Sequence, residues 1–307
     1  MNRIAFLFPG QGSQAVGMGK SLFDAFEPVR SIFARADEVL GYPLSRLCFE
    51  GPEDELRLTQ NTQPALLTVC TAAHLLLGKT PVVAAGHSLG EYSALVAAGS
   101  LRFEDAVLLV HKRGRYMQEA VPVGEGAMAA VLGMSYEDLA RALEQVGGGV
   151  AQIANWNSPD QIVIAGHKGA VEEALRLAKP PRSVMLPVSA PFHSSLMKPA
   201  EERLAADLDR VEFKDPAFPI VTNVDARMIT TGAEARDALK RQVSRPVLWY
   251  ESMELLGKSG IDVFVELGTG KVLSGLIKRI GRGWSRPFAM ASVEDAESLE
   301  KARATLA

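Results

Sequence analysis

Apolar positions organise the reading of this chain. Ile4–Phe8 form a short unbroken apolar run that stops at Pro9-Gly10, the pattern of a buried strand. A loop rich in Gly, Gln and Ser, GQGSQAVGMG, comes next. Leu22, Phe23, Phe26, Val29, Ile32 and Phe33 then recur along one helical face and predict a helix. NTQPALLTVCTAAHLLL predicts another, with Pro64 near its start, where a missing N–H does no harm. TPVVAAGHS is a second short strand with β-branched residues, and two helices follow it. Strands alternating with helices imply a largely parallel sheet covered on both faces.

The rhythm changes in the middle of the chain. GAMAAVLG (126–133) reads as a strand and SYEDLARALEQV (135–146) as a helix opened by Ser135. GGVAQIANW and DQIVIAG are strands separated by the turn residues Asn157-Ser158-Pro159; HKGAVEEALRLA is a helix and RSVMLPV a closing strand. The order β-α-β-β-α-β is that of a ferredoxin-like unit. A small domain at 125–189 is therefore expected inside a larger α/β domain made of 1–124 and 190–307. Because Ser88 precedes the insert and His193 follows it, the insert is expected to wall any site these two residues form.

Composition narrows the class. With 307 residues, 47% hydrophobic and 22% charged, the chain can bury a large core as a soluble globular protein. A net charge of −3 offers no general attraction for nucleic acid. Cys48 and Cys70 fit no metal or redox spacing and read as buried apolar thiols in a reducing compartment. The N-terminal apolar run is too short for a signal peptide, and no stretch approaches the 18 or so apolar residues of a membrane span. A soluble cytoplasmic protein is expected.

The chemistry centres on Gly86-His87-Ser88-Leu89-Gly90. A Gly-x-Ser-x-Gly set between a strand (Val82–Ala85) and a helix (from Glu91) fits a nucleophile elbow, with Ser88 exposed at a helix N-terminus. The Leu89 N–H is then one oxyanion donor, and the loop after the first strand offers the Gln11 N–H as a second. A helix start bounded by two glycines is the plainer alternative. A serine nucleophile needs a base, and five histidines compete. His74 lies in an apolar helix, His111 and His167 flank charged, solvated segments, and His87 is too close in sequence to turn onto Ser88. His193, following APF and opening a helix, is the best base by elimination. Its orienting partner stays open among Asp225, Glu266 and a backbone carbonyl. Arg113 lies about 14 Å along the returning helix, back at the level of Ser88. There it can hold a carboxylate bidentately, or it is a solvated arginine beside Lys112 and Arg115.

FPGQGSQ (8–14), TQPAL (62–66), GHSLGEYSAL (86–95), RGRYMQEAVPVGEGAMAAV (113–131), NSPDQIVIAG (157–166), APFHSSLMKPA (190–200) and ELGTGKVLSGL (266–276) run from end to end of the chain. Together they resemble the malonyl-CoA:acyl carrier protein transacylases of fatty-acid synthesis. The resemblance implies an α/β-hydrolase-like large domain with a parallel sheet and a ferredoxin-like insert. It implies Ser88 as nucleophile, His193 as base, Arg113 as carboxylate clamp, and Gln11 and Leu89 as the oxyanion hole. His87 and Asn157 match pocket-lining positions. A backbone carbonyl is implied to hold the histidine, and SRPVLW (244–249) points to Leu248 for that carbonyl.

The implied reaction is ping-pong: a malonyl-Ser88 ester forms from malonyl-CoA and is discharged to the phosphopantetheine thiol of acyl carrier protein. No cofactor and no metal are expected, and a monomer suffices. Phe192, beside the base, is expected to narrow the pocket against an α-methyl branch and favour malonyl over methylmalonyl. Lys278, Arg279, Arg282 and Arg286 form a local basic cluster that either docks an acidic carrier or is simply solvated. A polyketide carrier would use the same chemistry. A serine esterase and a non-catalytic carrier-binding module are the rival readings; Arg113 weighs against the first, and the joint presence of Ser88, His193 and Arg113 against the second.

Overall fold

The computed structural model describes residues 2–188 and 190–307. Its larger sheet contains β1 (Ile4–Phe8) and β2 (Val83–Gly86), and the smaller contains β3 (Gly126–Leu132), β4 (Ala151–Ser158), β5 (Gln161–His167) and β6 (Arg182–Met185). The larger sheet is completed by β7 (Ile220–Val221), β8 (Met228–Ile229), β9 (Val263–Leu267) and β10 (Ala289–Val293). Its order is β10-β9-β1-β2-β7-β8, and only the β7–β8 pair is antiparallel.

The unbroken apolar run of β1 follows from burial on both faces. Ile4, Phe6 and Phe8 enter one core, with the Glu27–Leu40, Thr59–Leu77 and Phe103–Glu119 helices; Ala5 and Leu7 enter another, with the Trp249–Lys258 and Val272–Ile280 helices. The helix expected through Leu22–Phe33 is broken. Phe26 is extended (φ −129°, ψ 120°), and a new helix starts at Glu27 with Pro28 in its first turn. A proline ring placed mid-helix would strike the carbonyl four residues earlier, so the chain restarts instead.

The smaller sheet has the order β4-β5-β3-β6, all antiparallel, as a ferredoxin-like unit requires. One face buries Ala129, Val131, Ile162 and Ile164 under its two helices. The other places Met128, Ala154, Val163 and Ala165 against Phe192. β4 is tied to the rest of the molecule by backbone: Trp156 N–H donates to Val247 O (2.9 Å) and Val247 N–H to Ala154 O (2.9 Å).

No helix among the described residues is long and apolar enough to cross a membrane. Cys48 and Cys70 are buried free thiols, both pushed up to about 12 by desolvation.

The Thr59–Leu77 and Phe103–Glu119 helices touch at Gly114. A Cβ there would lie 2.5 Å from Thr59 O and 2.7 Å from the Gln60 backbone. Gly114→Ala must force the helices apart, and overpacking of this kind costs about 1–3 kcal/mol. A Tm several degrees lower in a thermal scan is expected, and an unchanged Tm would show that this contact yields freely.

Candidate active site

The site lies at the carboxyl ends of β1 and β2, where open parallel sheets present their loops. Gly86 ends β2 and Gly90 begins the Gly90–Ala97 helix. A Cβ on Gly86 would fall 1.9 Å from the Gly90 carbonyl, and one on Gly90 would fall 2.0 Å from Phe8 O. Only glycines permit so sharp a turn against β1. Between them Ser88 has φ 51°, a left-handed conformation costing on the order of 1–3 kcal/mol in a non-glycine residue. Asn223, just after β7, straddles the turn. Its Oδ1 accepts the Ser88 N–H (2.6 Å) and its Nδ2 donates to Gly86 O (2.6 Å).

Ser88 Oγ lies 2.7 Å from His193 Nε2. The far side of the imidazole, Nδ1, is 2.9 Å from the main-chain oxygen of Gln242. That oxygen only accepts, so Nδ1 carries the proton and Nε2 is free to accept one from Ser88. Gln242 is the last residue of the Gly232–Gln242 helix, whose final carbonyls lack helical partners. The negative end of the helix therefore faces the imidazole and favours a positive charge there.

This corrects the expectation for Leu248. Its carbonyl accepts from the Ser252 hydroxyl and N–H, and its own N–H donates to Asn223 O. Neither acidic candidate reaches His193. Asp225 is bound bidentately by Arg241 (2.8 and 2.7 Å), and Glu266 caps the Val272–Ile280 helix through Leu273 and Ser274 N–H. Nor does His193 open a helix. It sits at φ 58° in the turn before the short 3-10 helix Ser195–Met197.

Arg113 is 2% exposed and lies over Ser88. Its Nη2 donates to Ser88 Oγ (3.1 Å) and Gln242 Oε1 (2.9 Å), and its Nη1 donates to Gln63 Oε1 (2.8 Å). Its Nε has no acceptor. The solvated alternative is thereby excluded. A buried guanidinium bonded only to neutral oxygens keeps donor capacity to spare, the chemistry that suits an anion.

His193 is 4% exposed, and its basicity is held down to about 3. Burial is the largest cause, the Arg113 charge the next, and His87 adds to them against the opposing Gln242 carbonyl. The resting imidazole is therefore neutral. A carboxylate placed on Arg113 would offset that cation and raise the basicity of His193.

His87 turns away from Ser88, as expected. Its Nε2 is 2.8 Å from Asn157 Oδ1 on β4, and its ring lies against Trp249. These two expected pocket residues thus join the smaller sheet to the elbow, while partly buried Phe192 packs beneath that sheet next to His193. Gln11 Nε2 donates to Thr59 Oγ1 (3.3 Å), which anchors the loop after β1. A Cβ on neighbouring Gly10 would meet His87 O at 2.5 Å, so this loop lies against the elbow. Neither the Gln11 nor the Leu89 N–H donates to a described residue.

The remaining histidines hold structural places. His74 packs edge-on to Phe6 and Phe8. His111 and His167 are partly buried rather than solvated: His111 Nδ1 meets Gln60 O, and His167 Nδ1 accepts from Val150 N–H. Sequence reasoning missed Gln63, Asn223 and Gln242, whose amides carry no periodic or charge signal. Pro246 shortly after Gln242 marked a helix end with unbonded carbonyls, and was the one cue available.

Comparison with known proteins identifies the family. Residues 5–302 match the acyl transferase domain family. The malonyl CoA-acyl carrier protein transacylase of Bacillus subtilis (strain 168) is 49% identical, covering 100% of this chain and 98% of its own. A crystal structure of an acyl carrier protein S-malonyltransferase from Vibrio cholerae superposes with TM-score 0.94 at 45% identity, over 97% of this chain and 99% of that one. A malonyl-transacylase in complex with its type II polyketide synthase acyl-carrier protein gives TM-score 0.95 at 45% identity, over 99% of each chain. A family match over residues 5–302 and near-complete coverage at such identity lead to one conclusion: this chain belongs to the acyl transferase domain family, among the malonyl CoA-acyl carrier protein transacylases.

Proposed function

We propose that this protein transfers the malonyl group of malonyl-CoA to the phosphopantetheine thiol of acyl carrier protein in fatty-acid synthesis, through a malonyl-Ser88 ester. The observation that carries the reading is Arg113 on Ser88 Oγ at 3.1 Å: an anion clamp and a hydroxyl nucleophile share one buried space.

The malonyl carboxylate takes the Arg113 fork, and its thioester carbonyl then faces Ser88. His193 Nε2 receives the Ser88 proton as Oγ attacks, and the Gln242 carbonyl stabilises the imidazolium through Nδ1–H. The N–H groups of Leu89 and Gln11 are the donors for the oxyanion. As the intermediate collapses, the C–S bond breaks and His193 passes its proton to the coenzyme A sulfur. In the second half, the carrier thiol gives its proton to His193 and attacks the ester, and Ser88 recovers a proton as it leaves. Phe192, seated under the smaller sheet, narrows the space for an α-methyl branch.

Residues 125–189 are the inserted unit in this reading, and 1–124 with 190–307 the catalytic one. The acceptor meets a reduced basic cluster. Arg286 pairs with Asp262 and Arg279 with Asp160 and Gln161, while exposed Lys278 and Arg282 pair with no described residue and suit an acidic carrier. A cytoplasmic monomer with no cofactor completes the proposal.

The test is intact mass after brief mixing with malonyl-CoA. A single malonyl adduct that a carrier protein discharges is the expected result, and coenzyme A release without an adduct would indicate a hydrolase. General-base assistance contributes roughly 10²–10⁴-fold, so His193→Ala is expected to slow adduct formation by that factor without abolishing it.

A further inference from the structure

Glu91 stands in the first turn of the helix leaving Ser88 and is 1% exposed. A carboxylate so buried is costly unless its contacts compensate. Its Oε2 accepts from the Asn223 N–H (2.9 Å) and from Gln242 Nε2 (2.9 Å), while its Oε1 has no hydrogen-bond partner. Gln242 Nε2 also donates to Ser88 O (3.0 Å), which turns Oε1 of the same amide onto Arg113 Nη2. Reversing the amide would set N–H groups against the guanidinium and an oxygen against the carboxylate. Glu91 therefore decides which end of Gln242 meets Arg113.

The charges around it are few. Arg113 faces it from the Phe103–Glu119 helix, Asp225 from the turn after β7, and Tyr92 adjoins it on its own helix. Asp225 is itself paired with Arg241, and His193, reached through Gln242, is neutral at rest. Burial drives the Glu91 carboxyl up to about 7, although Asn223, Gln242 and the Arg113 charge all pull it down.

We infer that Glu91 is a positioning residue for the Arg113 clamp, orienting it through Gln242 and taking up a proton when the malonyl carboxylate arrives. The inference rests on the reading of Arg113 as that clamp. In the free site one guanidinium faces one carboxylate. The incoming malonyl group adds a second carboxylate to the same water-poor space, and two carboxylates sharing one cation push one of them towards its neutral form. The proton comes from solvent and settles on Oε1, leaving Oε2 to accept as before. It returns to solvent when the malonyl group passes to the carrier.

Ester formation releases coenzyme A as a thiol and is itself proton-neutral, so an indicator dye in weak buffer reads the uptake directly. Wild type loaded with malonyl-CoA at pH 7.5 is expected to take up about half a proton per site. Its kcat/KM for malonyl-CoA should fall about 3- to 10-fold between pH 6 and 8.5, the scale of up to one pKa unit of coupling. Glu91→Gln keeps an oxygen for both donors but cannot titrate. It should load malonyl with no uptake and a flat profile. No uptake by wild type, or the same uptake and slope in Glu91→Gln, overturns the inference. If Glu91→Gln does not fold, Glu91→Asp should move the pH midpoint of uptake, and an unmoved midpoint overturns it equally. Arg113→Ala separates the two ideas. Normal malonyl loading by that variant would sink the clamp itself, whereas defective loading beside a wild type without uptake would sink only the role of Glu91.

Discussion

Ser88→Ala is expected to show no malonyl adduct at all and to lose transfer by on the order of 10⁶-fold, the scale seen when a serine nucleophile is removed. Ser88 Oγ is the only oxygen that lies both 2.7 Å from His193 Nε2 and 3.1 Å from Arg113 Nη2 among the described contacts. Folding should survive the change. Alanine meets the same left-handed backbone at φ 51° that serine does, and Arg113 keeps its bonds to Gln63 and Gln242. A Tm equal to or above that of wild type is therefore expected, as is common when a functional group held in strain is removed. An adduct persisting on the alanine variant would place the nucleophile elsewhere.

Arg113→Ala is expected to lower kcat/KM for malonyl-CoA by about 30- to 5000-fold, the equivalent of the 2–5 kcal/mol typical of a severed buried charge pair. Acetyl-CoA, which brings no carboxylate, should lose far less, so the malonyl preference collapses. Arg113→Lys restores a charge but not the fork. An ammonium cannot reach Gln63 and Gln242 and still present two parallel donors to a carboxylate. Little recovery of selectivity is expected in competition assays with both thioesters. Unchanged preference in both variants would remove Arg113 from substrate choice.

The pH behaviour of the base follows from its surroundings. With His193 held down to about 3, chiefly by burial, its proton-accepting form is complete across the neutral range. Loss of activity from its protonation belongs well below pH 5, far from the gentler fall above neutrality expected of Glu91.

How much was legible beforehand divides by range along the chain. Ser88, its glycines, β2 and the helix after it lie within one short stretch, and local backbone rules suffice to read a sharp turn there. The smaller sheet was legible in the same way, because alternation and helical spacing recur within ten or so residues. Arg113 needed one helix rise and one turn, so its return to Ser88 could be foreseen while its burial could not. The break at Phe26 was missed because apolar spacing alone was followed through Pro28.

The sequence by itself determined the first two strands of the larger sheet, the strand and helix order of the smaller one, and the residue types able to do acyl transfer. It determined them because periodicity, turn chemistry and a strand-turn-helix motif are properties of neighbours. Only the tertiary structure decided which carbonyl orients His193, which amides hold Arg113, and that Glu91 joins them. Those bonds span 49 residues from His193 to Gln242, 129 from Arg113 to Gln242, and 151 from Glu91 to Gln242. A main-chain oxygen looks the same at every residue, and a glutamine carries no charge. Their roles come into being when packing brings a helix end, an elbow and a buried arginine into one dry space.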